Sequence, residues 1–200
     1  MVGGKDMSNR VILIVGTPCV GKTSVGRLLV LKIGALYVNL TELALNENLV
    51  CGKDEVRGST LVDEGRMRRR LSNIIAKSGE DVVVDGHFAV HVVPKRFVTY
   101  VFVLRRNPVE LKIFMERAGF SGRKLWENLA SEILDVCLVD VLRVYGKEKV
   151  CELDVTGKSV KEVVNEILDV LAGRVKCRVG VVDWLGKLES DGLLDEYLRI

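Results

Sequence analysis

Glutamine is absent from the 200-residue sequence, and aromatic residues make up only 6% of it. The scarcity of aromatics decides the kind of core. With 48% hydrophobic residues and a mean hydropathy of +0.21, the core must be mostly aliphatic. The missing glutamine, beside 28% charged residues, follows the tendency of thermophile proteins. No Cys-x-x-Cys pair occurs among Cys19, Cys51, Cys137, Cys151 and Cys177, and their number is odd. Both facts argue against a zinc site or a disulfide scaffold and predict free thiols in a reducing cytoplasm. No run approaches the roughly 20 apolar residues needed to span a bilayer, so no membrane partner is expected. Met1–Arg10 is polar, which does not read as a secretory leader, and residues 1–10 are expected to be a flexible N-terminus. There is no internal repeat. The net charge of +3 does not by itself predict nucleic-acid binding.

What is present alternates between strand and helix patterns, which predicts an α/β fold with a mostly parallel sheet. Val11–Val15 is a short apolar run of the kind that forms a buried parallel strand. A loop, Gly16–Lys22, and a helix to about Ile33 follow. Ala35–Val38 reads as a second strand, with Thr41 capping a short helix through about Asn48. Val50–Thr60 carries polar and glycine breakers without a period and is expected to be a mobile loop. Asp63 is a good N-cap for a helix ending near Gly79. Asp81–Asp85 and Val98–Leu104 are the third and fourth strands. Asn107-Pro108 opens a helix to about Ala118. After the break at Gly119–Gly122, Arg123–Tyr145 reads as one long amphipathic helix. Lys149–Asp154 is the last strand, and Ser159 caps a helix to about Ala172. The expected organisation is one domain over 11–172 and a C-terminal helical extension over 173–200.

Gly16-Thr-Pro-Cys-Val-Gly21-Lys22-Thr23 matches the phosphate-binding pattern G-x-x-x-x-G-K-[ST]. A buried strand precedes it and a helix follows, as the mechanism requires. The glycines let the backbone curl so that successive N–H groups face phosphate oxygens. The helix N-terminus adds positive potential. Lys22 is suited to the β- and γ-phosphates of ATP, and the Thr23 hydroxyl to Mg²⁺. The cofactor-binding set is thus Gly16, Cys19, Val20, Gly21, Lys22, Thr23 and Ser24. A second carboxylate on the Mg²⁺ side is needed at the end of a neighbouring strand. Asp85 is placed for it, directly after Val82-Val83-Val84. His87 follows two residues later and is suited to orient or deprotonate a water or hydroxyl near the γ-phosphate. Lys22, Asp85 and His87 are the expected catalytic residues, and Thr23 and Asp85 the metal ligands. His91 lacks such a context and reads as structural or exposed. Cys19 lies where a helix N-terminus should lower a thiol pKa, although a packed small residue is the stronger reading. Arg66, Arg68, Arg69 and Arg70 form a basic cluster whose bland reading is a solvated helix surface. RNA contact there is an open alternative.

From these residues onward, over roughly Val11–Ala172, the chain resembles the adenylate kinase isoenzyme 6 family. The P-loop, Val38-Asn39 with Glu42-Leu43-Ala44, Leu61-Val62-Asp63-Glu64-x-Arg66, and Val84-Asp85-x-His87 carry the likeness. So do Val101-Phe102-Val103-Leu104-Arg105 and Gly119-Phe120-x-x-x-Lys124-Leu125-x-x-Asn128. The resemblance implies a P-loop NTPase fold of nucleoside monophosphate kinase type, with a five-stranded parallel sheet flanked by helices. It implies a short NMP-binding segment at about 39–62 and a lid at about 117–127. It also implies ATP and AMP as substrates, Mg²⁺ as the metal, adenylate kinase and ATPase activities, and Arg105 and Arg117 beside the nucleotide. A small-subunit platform ribosomal protein is the implied partner, with rRNA as a further candidate. Two departures weaken the AMP side more than hydrolysis. Leu45 stands where the family often has a cation, and Ala118 stands where it often has arginine, with Arg117 one residue earlier. Arg123 and Lys124 are candidate substitutes. A shikimate kinase-like reading is weaker, because Asn39-Leu40-Thr41-Glu42 lacks that group's Asp-x-Asp. The remaining alternative is an ATPase switch for the ribosomal partner with little adenylate kinase activity. Glu42, Glu47, Asp54 and Glu55 are its candidate docking residues.

Overall fold

A computed structural model describes residues 9–54 and 59–199. Residues 1–8 of the expected N-terminal segment, and residues 55–58 with Glu55, lie outside the described residues. In chain order the strands are β1 (Val11–Val15), β2 (Leu36–Asn39), β3 (Val50–Asp54), β4 (Ser59–Val62), β5 (Val82–Asp85), β6 (Val98–Arg105) and β7 (Val150–Asp154). The helices are α1 (Lys22–Ile33), α2 (Leu40–Asn46), α3 (Glu64–Lys77), α4 (Ala89–Val92) and α5 (Pro108–Arg117). They continue as α6 (Gly122–Ile133), α7 (Val136–Tyr145), α8 (Val160–Leu171), α9 (Trp184–Ser190) and α10 (Leu194–Tyr197).

Five strands form one parallel sheet in the order β2-β5-β1-β6-β7. All five residues of β1 are buried, because helices cover both faces of the sheet. Successive side chains on a strand point to opposite faces. Val11, Leu13 and Val15 therefore pack with Met67 and Leu71 of α3 and Leu138 and Val141 of α7. Ile12 and Ile14 pack on the other side with Leu29 of α1, Leu111 of α5 and Ile167 of α8. Each such fully buried aliphatic side chain contributes about 1.5–3 kcal/mol. The central position of β1 sets the loop that follows it at the C-terminal edge of the sheet. Ligands of open α/β sheets bind at that edge.

Four expectations are corrected. Asn39, not Thr41, caps α2: its side chain accepts from the Glu42 N–H at 3.0 Å. Val50–Thr60 is not wholly a loop, since β3 and β4 pair as an antiparallel ribbon with a register shift between Val50 and Gly52. That shift destroys the alternation by which a strand is read. The single helix over Arg123–Tyr145 is two helices, broken at Leu134 and Asp135, where Asp135 adopts φ 58°. There the Asp135 carboxylate accepts from Arg105, so a tertiary ion pair outweighs helical periodicity. Finally, Cys151 of β7 and Cys177 are joined as a disulfide, with Cα atoms 4.5 Å apart, while Cys19, Cys51 and Cys137 are free. Spacing could not reveal a pair made by the return of the C-terminal segment over β7.

Candidate active site

The phosphate loop begins where β1 ends. Gly16 has φ +143°, and a Cβ there would lie 2.5 Å from the Leu104 carbonyl oxygen. Only glycine lets the loop pass this close to β6. Gly21, at φ 110°, leads into α1. No side chain caps that helix, and its first turn holds no acidic residue. The leading amides of α1 are thus free of side-chain acceptors, as an anion site requires. Lys22 is half-buried and folds back, its Nζ donating to the Gly16 and Thr17 carbonyls at 2.8 Å each. Burial pushes its pKa down, against the nearby charge of Asp85. Thr23 and Ser24 are exposed at the same helix end.

Asp85 closes the site from the neighbouring strand. Its side chain is buried, and Oδ2 accepts from Thr23 Oγ1 at 2.8 Å, Tyr37 Oη at 2.7 Å and Asn39 Nδ2 at 3.0 Å. The pairing of β2 with β5 puts Asn39 opposite Asp85 in register. Asn39 therefore caps α2 with its oxygen and holds Asp85 with its nitrogen. Burial, followed by the bond to Asp85, raises the Tyr37 pKa and keeps the phenol a donor. Tyr37 and Asn39 were not singled out from sequence for this role. The strand register is the signal that identifies them.

His87 is exposed just beyond β5, with its ring edge-on to Phe88 at 5.2 Å. Desolvation by surrounding protein and the Lys22 charge push its pKa below the ordinary 6.5, against the pull of Asp85. A neutral imidazole therefore survives to lower pH than usual. If His87 serves as base, kcat/KM should hold from neutrality down past 6.5 and fall only on the more acid side. A pH–rate profile already falling above 6.5 would oppose this. His91 is exposed, and its carbonyl accepts from Arg68.

The arginines depart most from expectation. Arg105 is 1% exposed, and each of its three side-chain nitrogens is engaged within the protein. Its nitrogens are taken by Glu132 Oε1 at 2.9 Å, Glu152 Oε1 at 2.7 Å, the Glu132 carbonyl and Asp135. Burial alone would lower its pKa, but the carboxylates of Glu132 and Asp135 raise it. Arg105 is thus a structural cation. Its neighbour Arg106 is ion-paired through Nη1 with Glu110 and also reaches the phosphate loop, with Nη2 donating to the Val20 carbonyl at 3.3 Å. Arg106 Nε is buried without a partner among the described residues. Arg117 ends α5, is exposed, and its side chain makes no hydrogen bond or ion pair among the described residues. Arg123 pairs with Glu127 at 2.7 Å, and Lys124 lies over the Phe120 ring. Arg66 donates to the Asn48 carbonyl at 3.2 Å, and Arg70 pairs with Glu47. Cys19 packs against the α1 side of the core at φ 68°. Burial raises its pKa despite Lys22, contrary to the lowering expected from the helix terminus.

Comparison with known proteins decides the family. A family profile described as "AAA domain" matches residues 12–135. A Pyrococcus furiosus protein described as "Putative adenylate kinase" is 40% identical over 195 residues, covering 95% of this chain and 98% of that protein. The chain belongs to this adenylate-kinase-like P-loop family. A second member, from Methanocaldococcus jannaschii and described in the same words, is 35% identical over 176 residues, 88% of this chain and 93% of its own. Among solved structures, thymidylate kinase from Candida albicans is similar with a TM-score of 0.55 at 15% identity, over 84% of this chain and 92% of that one. The Deinococcus radiodurans tunicamycin resistance protein gives 0.55 at 15%, over 86% and 99%. These two likenesses concern the fold alone. Among the described residues no helix is long and apolar enough to cross a membrane.

Proposed function

We propose that this protein is a phosphotransferase of adenylate kinase type, moving the γ-phosphoryl group of ATP to AMP and also hydrolysing ATP. The observation that carries this reading is the meeting of Lys22, Thr23 and Asp85 at the end of β1 and β5, within a family of adenylate-kinase-like relatives. Among the described residues no three His, Cys, Asp or Glu side chains form a cage for a metal. Mg²⁺ in such sites needs none, since it binds through one or two carboxylates and substrate phosphates. The buried Asp85 carboxylate, 2.8 Å from the Thr23 hydroxyl, fits that donor set. Mg²⁺ there would neutralise charge developing on the β- and γ-phosphate oxygens. Lys22, Arg106 and the α1 amides stabilise the same charge, and His87 orients the attacking group. His87→Ala should lower hydrolysis by about 10²-fold while ATP affinity changes little. Equal rates for variant and wild type would leave His87 without a chemical role.

An acceptor panel tests the assignment. AMP should be phosphorylated faster than UMP, CMP, dTMP or shikimate at equal concentration. A preference for any other acceptor would move the chain to another kinase class.

A second reading is favoured by the missing cations. Leu45 is 58% exposed, Ala118 is an exposed helix cap, and Arg105 is withdrawn into the core. On this reading ATP hydrolysis outpaces AMP phosphorylation, and the protein acts in the cytoplasm as an ATPase switch in small ribosomal subunit assembly. Its partner is a platform ribosomal protein, with rRNA near the Arg66–Arg70 surface. The Cys151–Cys177 pair does not oppose a cytoplasmic site, because intracellular proteins of hyperthermophilic archaea carry disulfides. Two of the acidic docking candidates already have partners, Glu42 with Arg27 at 3.0 Å and Glu47 with Arg70. Both departing positions face solvent, so arginine fits without repacking. Leu45→Arg with Ala118→Arg should raise AMP-dependent ADP formation by about tenfold or more. An already high AMP rate in the wild type would show that Arg106, Arg117, Arg123 or Lys124 fills the role.

A further inference from the structure

The phosphate loop is held from below by a buried carboxylate. Glu132 lies near the end of α6, is 1% exposed, and shares its two oxygens among three elements. Oε2 accepts from the Thr17 hydroxyl of the phosphate loop. Oε1 accepts from the Arg105 side chain at 2.9 Å, the Arg106 backbone N–H at 3.1 Å and the Trp184 indole Nε1–H at 3.2 Å. Thr17 is itself buried, and its carbonyl holds Lys22 Nζ at 2.8 Å. A continuous path therefore runs from Trp184 through Glu132 and Thr17 to Lys22.

Trp184 belongs to the C-terminal extension, outside the span that carries the nucleotide motifs. That extension is fixed to the sheet at separate points. Cys177 is bonded to Cys151, the Glu152 N–H donates to the Arg178 carbonyl at 2.8 Å, and Glu152 Oε2 accepts from the Gly180 and Val181 amides. The other Glu152 oxygen holds Arg105, the cation that also holds Glu132. Two buried carboxylates joined by one arginine thus tie the extension to the loop. A buried network of this kind rigidifies when every member is satisfied.

We propose that Glu132 is a positioning residue for Lys22, acting through Thr17, and that the C-terminal extension completes the phosphate loop by supplying Trp184 to it. The proposal rests on the loop binding ATP. It predicts that the extension senses occupancy, because coupling between two sites is reciprocal. When phosphate draws Lys22 away from the Thr17 carbonyl, the Thr17–Glu132–Trp184 contacts adjust.

The sequence contains two tryptophans, Trp126 and Trp184. In full-length Trp126→Phe protein, ATP should change Trp184 emission with the midpoint that calorimetry gives for ATP binding. Thr17→Val in that background should abolish the emission change and lower kcat by about tenfold, with KM for ATP changing less. Thr17→Ser, which restores the hydroxyl, should recover both. Trp184→Phe in the wild-type background keeps an aromatic ring but removes the indole donor and some packing, so it should lower the melting temperature and, in protein still folded at the assay temperature, lower kcat several-fold. Calorimetric ATP binding with silent Trp184 emission would overturn the coupling while sparing the nucleotide site. Absence of ATP binding by calorimetry would overturn the nucleotide site itself. Equal kcat for Thr17→Val and Thr17→Ser would overturn the role of the hydroxyl.

Discussion

Lys22→Ala is expected to lower both ATP hydrolysis and phosphoryl transfer by at least ~10²-fold while leaving the fold intact. Among the described residues the ammonium group hydrogen-bonds only to the Gly16 and Thr17 carbonyls of its own loop, so the core should not depend on it. Burial penalises its charge in the free protein, and Asp85 and the two carbonyls offset only part of that penalty. Phosphate oxygens are stronger partners for a cation than carbonyls, and charge grows on them in the transition state. The truncation therefore falls mainly on the chemical step. Initial rates beside a thermal melt check this. More than about a tenth of the wild-type rate in a folded variant would contradict the phosphate-loop assignment.

Asp85→Asn is expected to cost about 10²-fold in rate and, unlike the lysine change, also stability. Asp85 Oδ2 receives three donors, from Thr23, Tyr37 and Asn39, in a buried position. An amide preserves the shape but removes the charge and half the acceptors. Either its NH₂ faces the three donors, or a neutral oxygen takes the Oδ2 place and holds the same three donors more weakly. The loss of hydrogen bonds to a buried charged group should be on the order of 1–3 kcal/mol. The Mg²⁺ concentration that half-saturates the rate should rise as well. Melting curves with a Mg²⁺ titration separate the two effects. A variant within about threefold of the wild-type rate at all Mg²⁺ concentrations would remove Asp85 from the metal side.

The sheet and the phosphate loop were legible because each carries a local signature. The continuous apolar runs Val11–Val15 of β1, Val82–Val84 of β5 and Val101–Leu104 of β6 suit burial on both faces. The loop motif is short and contiguous, and Asp85 follows directly from the strand that ends in it. The rest of the site depends on contacts between distant segments. Arg105 and Arg106 are adjacent, yet one is consumed by Glu132, Glu152 and Asp135 while the other reaches Val20. Arg106 has a local partner in Glu110, four residues on, but the burial of Arg105 is decided by carboxylates 27 to 47 residues away, which no local pattern shows. The same carboxylates account for the helix break at Asp135, which periodicity smoothed over. Glu132 was invisible for a related reason. It stands in an amphipathic helix where a glutamate reads as solvated, and only the fold shows that it is 1% exposed. Cys151 and Cys177 are 26 residues apart and meet because the chain returns over β7.

The central claim is that ATP is the phosphoryl donor and AMP the acceptor. It is tested most directly by incubating purified full-length protein with ATP and Mg²⁺, with and without AMP, and resolving ADP from inorganic phosphate. With AMP present, ADP should accumulate at two molecules for each ATP consumed in transfer. Without AMP, one ADP and one phosphate should appear together, and omission of Mg²⁺ should suppress both. ATP left intact in every arm, or an ADP yield that AMP does not change, would contradict the account.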